Sequence, residues 1–223
     1  MTDFDYQWKH LTKSPYLDCN VLRVQELLSL TDLTPHWFNN KKCLDAGCGA
    51  GRYTYAMMQL GANVTSIDDS IPAVDITKKL NPQTFLINIT KDPLPLNNDL
   101  TFAFGVIHHT QNPRHTFHRL ARTVKRGGYL FVMVYRKPGQ EYYDRLRPIF
   151  HKLPSILKLP FIYLVTFITT KRLTNIHGWW DALNPTYNYS FTDDEIATWF
   201  REEGFTNFYK SSLPNVNMIG QKL

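Results

Sequence analysis

The chain is 223 residues long, 43% hydrophobic and formally +6 at neutral pH, enough apolar material for one α/β domain with a sheet covered on both faces. The charge is local: residues 136–190 hold eight Lys or Arg (136, 137, 145, 147, 152, 158, 171 and 172) against three acids (Glu141, Asp144 and Asp181), a difference of +5, which excludes a wholly basic nucleic-acid binder. Cys19, Cys43 and Cys48 are odd in number and lack metal-ligand spacing, so they read as reduced buried thiols with no metal, and a polar opening without a charged-then-apolar leader points to a cytoplasmic protein.

Residues 1–18 form an aromatic-rich arm whose Tyr6, Trp8 and Tyr16 can pack on a sheet edge. Val21, Val24 and Leu28 then give one apolar face to a helix near 19–30. A short apolar strand near 42–46 runs into Gly47, Gly49 and Gly51, followed by a helix near 52–60 and a second strand, 63–68, ending in Asp68. A helix near 71–80, strands near 84–88 and 100–105, a helix near 114–125 and a strand near 129–135 continue the alternation that marks a parallel sheet with crossover helices. The Gly127-Gly128 pair is expected to end the last of these helices and to start the fifth strand.

Residues 136–191 break this rhythm, because compact α/β folds usually spend only about 2–6 residues on such a connection. They read as an inserted helical cap. Its apolar stretch over 153–172 is interrupted by Pro154, Lys158 and Pro160. The uninterrupted part, 161–170, is half of the roughly 20 residues a membrane-crossing helix needs. The expectation is a helix that buries one face over the active site, with an interfacial lipid contact second. Thr192-Asp193-Asp194-Glu195 is a capping box ahead of Ile196, Trp199 and Phe200 at helical spacing. Gly204 ends that helix, and strands near 205–210 and 216–223 complete a seven-stranded sheet. One domain is expected: arm and helix at 1–40, ligand-binding core at 41–135, cap at 136–191, and a closing helix with two strands at 192–223.

The chemistry starts at residues 43–51. Alternating glycines let the backbone turn tightly and approach a ligand where a β-carbon would collide, and the helix that follows points free N–H groups at it. Asp68, seventeen residues after Gly51, is placed to accept hydrogen bonds from a ribose diol. A phosphate-cradling loop would need Gly-Lys-Ser/Thr, and Gly51-Arg52-Tyr53 lacks it. A dinucleotide site prefers a third glycine one residue later. A nucleoside without phosphate remains, and S-adenosylmethionine fits that description.

Residues 44–52, Asp68, the Gly-Val-Ile-His-His-Thr run at 105–110 and residues 120–135 together resemble a class I S-adenosylmethionine-dependent methyltransferase. The similarity covers most of the chain. It implies a Rossmann-like α/β fold, a seven-stranded, mostly parallel sheet with helices on both faces and an antiparallel last strand inserted between its neighbours. It also implies S-adenosylmethionine as cofactor and S-adenosylhomocysteine as product. Gly47, Gly49 and Gly51 would face the methionine portion and the sugar, Asp45 the amino-acid end, and Asp68 the ribose. Asn88 stands where relatives often carry Asp to hold the adenine amino group, and Ile89 could offer its backbone N–H to the ring. Asp69 follows the ribose carboxylate where an uncharged residue is common; it reads as an exposed loop carboxylate or a further cofactor contact. Gly105 and Val106 complete the cofactor set, and arms such as 1–18 often fold over the cofactor, which makes Lys13 and Tyr16 closing contacts.

For the acceptor, His108 and His109 follow the fourth strand at the edge where ligands bind, and imidazole is suited to take a proton near neutral pH. Tyr135 and Arg136 end the fifth strand at the same edge. Trp180, Asp181 and Tyr187 belong to a Trp-Asp…Pro…Tyr segment ahead of the Glu-Ile…Trp-Phe helix, a pattern similar to bacterial small-molecule methyltransferases of polysaccharide, lipid or quinone pathways. The leading expectation is O- or N-methylation of a small acceptor that is anionic, lipid-linked, sugar or quinone-like. An RNA methyltransferase using the basic cap and a catalytically silent S-adenosylmethionine-binding protein are the alternatives. The chain's expected partner is the small acceptor, with nucleic acid disfavoured, no transmembrane segment, and peripheral membrane contact through the cap.

Overall fold

The computed structural model describes residues 2–11, 19–170 and 176–223; Lys13 and Tyr16 lie outside the described residues. Seven strands, β1 (Lys42–Ala46), β2 (Asn63–Asp68), β3 (Thr84–Leu86), β4 (Asn98–Phe104), β5 (Val124–Val134), β6 (Phe205–Lys210) and β7 (Val216–Lys222), form one sheet in the order β3-β2-β1-β4-β5-β7-β6. β7 runs antiparallel between β5 and β6, and the pairs among β1 to β5 are parallel. This is the Rossmann-like arrangement expected, with the chain reversing direction between β3 and β4 so that the carboxyl ends of β1 and β4 open a crevice.

Alternation of side chains along each strand divides the core. Leu44, Ala103, Leu130 and Val132 meet Phe117 and Leu120 of α4 (Pro113–Thr123) and Ile196 and Phe200 of α8 (Asp193–Glu202) on one face. Cys43, Phe102 and Phe131 meet Leu27 and Leu30 of α1 (Val21–Thr31) and Tyr53, Ala56 and Met57 of α2 (Arg52–Gln59) on the other. The Thr192–Glu195 capping box forms as the sequence indicates.

Two features differ from the sequence reading, and a third is filled in by the structure. The Gly127-Gly128 pair lies inside β5 and does not start it: α4 ends at Thr123 and the strand begins at Val124. A Cβ on Gly128 would stand 2.9 Å from the carbonyl oxygens of Asn98 and Asp99, so the glycine serves the close approach of β4 at a register shift. β3 stops at Leu86, because Asn88 turns away with its side-chain oxygen accepting from the Thr90 N–H at 2.9 Å. Finally, residues 136–191 form α5 (Glu141–Lys152), α6 (Ser155–Thr170) and α7 (Ile176–Leu183), with Phe150, Ile162, Trp179, Trp180 and Leu183 as a separate small core. α3 (Ile71–Lys78) completes the helices around the sheet.

Candidate active site

The glycine turn is fastened to β2. Gly47 and Cys48 donate their N–H groups to the Ile67 carbonyl at 2.8 and 3.0 Å, and Gly49 donates to Asp68 Oδ2 at 2.9 Å. Gly47 has φ +81°, and a Cβ there would lie 2.3 Å from Val106 Cγ2; on Gly49, at φ +52°, it would lie 2.6 Å from the Trp8 ring. Side chains are therefore excluded at both positions by space as well as by backbone conformation. Asp68 Oδ1 accepts from the Ser70 N–H at 2.9 Å, leaving each carboxylate oxygen a further acceptor direction. Burial pushes Asp68 up to about 7 against the two N–H donors, with the charges of Asp69 and Asp45 adding to the rise.

Gly47, Gly49, Asp68, Asp69, Asn88, Ile89, Gly105, Val106, His109, Asp181 and Tyr187 line one cleft of about 1010 Å³. Six residues singled out from the sequence do not. Asp45 points with Cys43 towards α2, accepts from Thr54 Oγ1 at 2.6 Å, and rises to about 6 because it is buried. Gly51 sits behind the turn as the residue capping α2, against Thr77. Arg136 donates to Asp193 and to the Asn215 carbonyl, both at 2.6 Å, tying the end of β5 to α8. Trp180 is 4% exposed, stacked on Tyr6 at 4.5 Å and edge-on to Phe150. Tyr135 and His108 lie behind His109.

At the rim, Asn88 is already engaged. Its Oδ1 accepts from both the N–H and the hydroxyl of Thr90, and its Nδ2 donates to Asp69 Oδ2 at 2.9 Å. The oxygen expected to take an adenine amino group is thus spent on its own loop, while the exposed Asp69 stands beside it.

His109 follows Gly105 and Val106 in a short 3₁₀ turn. Its Nδ1 lies 3.1 Å from the Tyr187 carbonyl, which can only accept, so that nitrogen carries the proton in the neutral ring and Nε2 presents a lone pair. Nε2 has no hydrogen-bond partner and is 3.9 Å from Asp181 Oδ2. The Tyr135 hydroxyl donates to that same oxygen at 2.5 Å. Burial pushes the Asp181 carboxyl up, but His109 and Tyr135 together outweigh it and hold the group below the usual carboxylate range. The segment carrying Tyr187 is laid along the sheet edge by Tyr189 N–H to His108 O (2.9 Å) and Phe191 N–H to Tyr135 O (2.8 Å).

His108 is wholly buried between Tyr135 and His109, with ring centroids 4.1 Å from each and both nitrogens unpartnered. Burial, and secondarily the adjacent His109, hold it well below the ordinary imidazole range. It is a neutral packing group in this position.

The arm supplies lining: of the two positions the sequence leaves open for it, packing on a sheet edge or folding over the cofactor, its described residues take the second. Phe4 meets His109 edge-on at 5.2 Å, and Trp8 lies over Gly49 with its ring 5.4 Å from His177. Phe4, Trp8 and His177 all line the cleft. The aromatic density of 1–18 was the available signal for the first two; for His177 it was its place four residues before Asp181, on the same face of α7. α6, by contrast, contributes no lining residue. It packs on α7 from outside, so it does not bury a face over the cleft. The basic excess is also elsewhere: Arg147 is held by the Pro185 carbonyl at 2.5 Å and Lys137 pairs with Glu195 at 3.6 Å. Among the described residues, Arg52 is the one Lys or Arg in the lining, against Asp68, Asp69 and Asp181.

Residues 44–132 match the family described as a methyltransferase domain. Among curated proteins, the mitochondrial ubiquinone biosynthesis O-methyltransferase of Schizosaccharomyces pombe is 34% identical over 104 residues, 43% of this chain and 38% of that protein. The ubiquinone biosynthesis O-methyltransferase of Dechloromonas aromatica is 27% identical over 136 residues, 57% of this chain and 56% of that protein. The chain thus spans about half the length of the curated relatives it matches, or less. Among solved structures, a possible histamine N-methyltransferase of Thermotoga maritima superposes with TM-score 0.63 at 16% identity, covering 99% of this chain and 98% of its own. The magnesium protoporphyrin IX methyltransferase of Synechocystis with bound S-adenosylhomocysteine gives 0.63 at 15% identity, covering 99% and 96%. Both share the fold.

Proposed function

We propose that this chain carries a class I S-adenosylmethionine-dependent methyltransferase domain and uses it to move a methyl group onto an oxygen of a small acceptor of the quinone or phenol type. The observation that carries the reading is the bond from the Gly49 N–H to Asp68 Oδ2 on the floor of the cleft. It sets the two parts of a nucleoside seat, a glycine turn with no room for side chains and a carboxylate with spare acceptor directions, against each other. S-adenosylmethionine fits these residues, and when bound it supplies an activated methyl group on a positively charged sulfur. Gly47 and Gly49 face its chain and sugar, Asp68 takes the ribose hydroxyls, and Asp69 replaces Asn88 as the acceptor nearest the base.

The acceptor occupies the other end of the cleft, between Phe4, Trp8, His177, Asp181 and Tyr187. His109 takes the proton of the acceptor hydroxyl on Nε2. Asp181, held ionised, stabilises the imidazolium that forms, and Tyr135 fixes Asp181 in place. His108 is left out of the proton transfer. The aromatic walls and the acidic lining suit a neutral, flat phenol better than the anionic acceptor that the basic segment 136–190 suggests. The relatives that act in ubiquinone biosynthesis agree with this choice. We place the chain in the cytoplasm, where reducing conditions suit three cysteines with no disulfide between them, and read residues 136–191 as the part that selects the acceptor.

Calorimetry with S-adenosylhomocysteine tests the seat, and transfer of labelled methyl from S-adenosylmethionine into a fractionated extract of the source cell tests the acceptor. Label in the lipid-soluble, phenol-containing fraction is the expected result. Label in RNA, or tight cofactor binding with no transfer to any fraction, would replace this reading with one of the two alternatives.

A further inference from the structure

We propose that the outer faces of α5 and α6 dock the chain on an anionic lipid bilayer surface. On α6, Ile156, Leu157, Tyr163, Leu164, Phe167 and Ile168 are between 40% and 82% exposed. Their spacing returns every three or four residues, so they form one stripe along the helix. The opposite stripe, including Ile162 and Thr166, is buried against α7 and Phe150. A helix of a water-soluble surface carries polar residues on the side away from its core, whereas one that is apolar all round is normally covered all round. α6 is covered on one side only.

Charge decides between the occupants of the open side. From residue 145 to residue 180 the sequence holds six Lys or Arg and no acidic residue. On α5, Tyr142, Arg145, Ile149 and Lys152 repeat at helical spacing and are exposed, and among the described residues Arg145 and Lys152 have no ion-pair partner. Lys158 of α6 lies over the Phe150 ring at 5.1 Å, its stem along apolar surface and its charge at the boundary. A two-fold contact between copies on this face would set the same cations opposite one another, and the acids of α5, Glu141 and Asp144, are already engaged by the Gly139 N–H at 2.8 Å and by Arg147 at 3.8 Å. An anionic headgroup layer supplies the acids, and acyl chains beneath it take Leu164, Phe167 and Ile168. The helix lies on the surface and does not cross it: no described helix is long and apolar enough to span a bilayer, and the 16 residues of α6 reach only about 24 Å. Because α6 lines no part of the cleft, this inference stands apart from the catalytic reading.

Flotation with phosphatidylglycerol-containing vesicles, compared with pure phosphatidylcholine vesicles, tests it. The full chain is expected to float with the first, weakly with the second, and to be released by high salt. The combined change Leu164→Ser, Phe167→Ser and Ile168→Ser should cut the bound fraction about tenfold or more while leaving S-adenosylhomocysteine binding unchanged. Should that variant fold poorly, Arg145→Glu with Lys152→Glu should abolish the preference for phosphatidylglycerol. The proposal is overturned if the parent chain floats with neither vesicle, if both sets of changes leave binding intact, or if sedimentation shows a dimer that the serine changes dissociate.

Discussion

The two ends of the cleft are built by different means. At the cofactor end, Gly47, Gly49, Asp68 and Ser70 are joined through backbone N–H groups at the carboxyl ends of neighbouring parallel strands, so their arrangement follows once β1 and β2 pair. At the acceptor end, His109, Tyr135 and the segment carrying Asp181 and the Tyr187 carbonyl arrive from three separate parts of the chain and meet side chain to side chain or side chain to carbonyl. The first end is specified by local sequence and sheet register. The second exists only when residues 136–191 have folded back over the edge, which makes it the part free to change between proteins sharing this core.

The strongest way to break this comparison is at His109. His109→Asn should lower turnover by about 10²–10⁴-fold, the usual contribution of a positioned general base, while S-adenosylhomocysteine affinity stays near that of the parent. Asp181→Asn should lower turnover by less and move the pH profile, because it removes the charge that stabilises the imidazolium but leaves the base. Turnover within a factor of two in the folded His109 variant across the range where imidazole ionises would remove it from the chemistry and leave alignment of the acceptor as the source of rate.

At the other end, Asp68→Ala removes the charged acceptor proposed for the ribose hydroxyls. Two hydrogen bonds to a charged group are each worth about 1.5–3 kcal/mol, so calorimetry should show affinity for S-adenosylhomocysteine falling about a hundredfold or more. Unchanged affinity would mean that the seat lies elsewhere in the cleft.

How far each end could be read from sequence follows the same division. The glycine turn, Asp68 and the parallel alternation of strands and helices were legible because alternating glycines and apolar runs express backbone requirements within a few residues, whereas the antiparallel last strand was implied only by the resemblance to the methyltransferase fold. Asp45 was legible only in part: side-chain alternation from Cys43 places it on the α2 side of β1, where Thr54 waits, and that step separates it from the ligand. Arg136 and Trp180 lie in the right segments but face away from the cleft, a choice made by Asp193, Asn215, Tyr6 and Phe150 far along the chain. Nothing periodic in 1–18 marks Trp8 as lying on Gly49. Long-range meetings of single side chains leave no local pattern, which is also why Tyr135 could be placed near the site but not recognised as the group holding Asp181.

A smaller effect sharpens the cofactor end further. Asp68 in the free protein titrates at about 7, and a ribose diol donating to it needs the carboxylate. Affinity for S-adenosylhomocysteine should therefore weaken as pH falls below about 7, approaching tenfold per unit while the group takes up its proton. In Asp68→Asn, which cannot ionise, this dependence should disappear, with binding weaker than the parent's above about pH 7 and the difference closing as the parent takes up its proton. A slope that persists in that variant would assign the titration to another group, with Asp69 the next to test.

The smallest effect concerns His108, where the expectation is stability without chemistry. Its folded-state pKa is depressed by burial, so the unfolded chain takes up the proton first as pH falls through the ordinary imidazole value. The neutral ring therefore stabilises the fold above that value, and the benefit is lost as the solution is made more acidic, by up to about 1.4 kcal/mol per pH unit. Asp45 and Asp68 act with the opposite sign, since their folded pKa values, about 6 and about 7, are raised and favour the fold as pH falls towards the normal carboxylate range. Total stability against pH is thus a poor measure, and the difference between His108→Phe and the parent at each pH is the useful one. Phe keeps the ring against Tyr135 and His109 but cannot be protonated. Chemical denaturation should show the variant gaining on the parent progressively below about pH 6.5, with turnover at neutral pH little altered. A constant difference with pH would mean that folding does not depress the His108 pKa, and a loss of turnover matching that of His109→Asn would place His108 in the proton transfer and extend the acceptor end one residue deeper into the core.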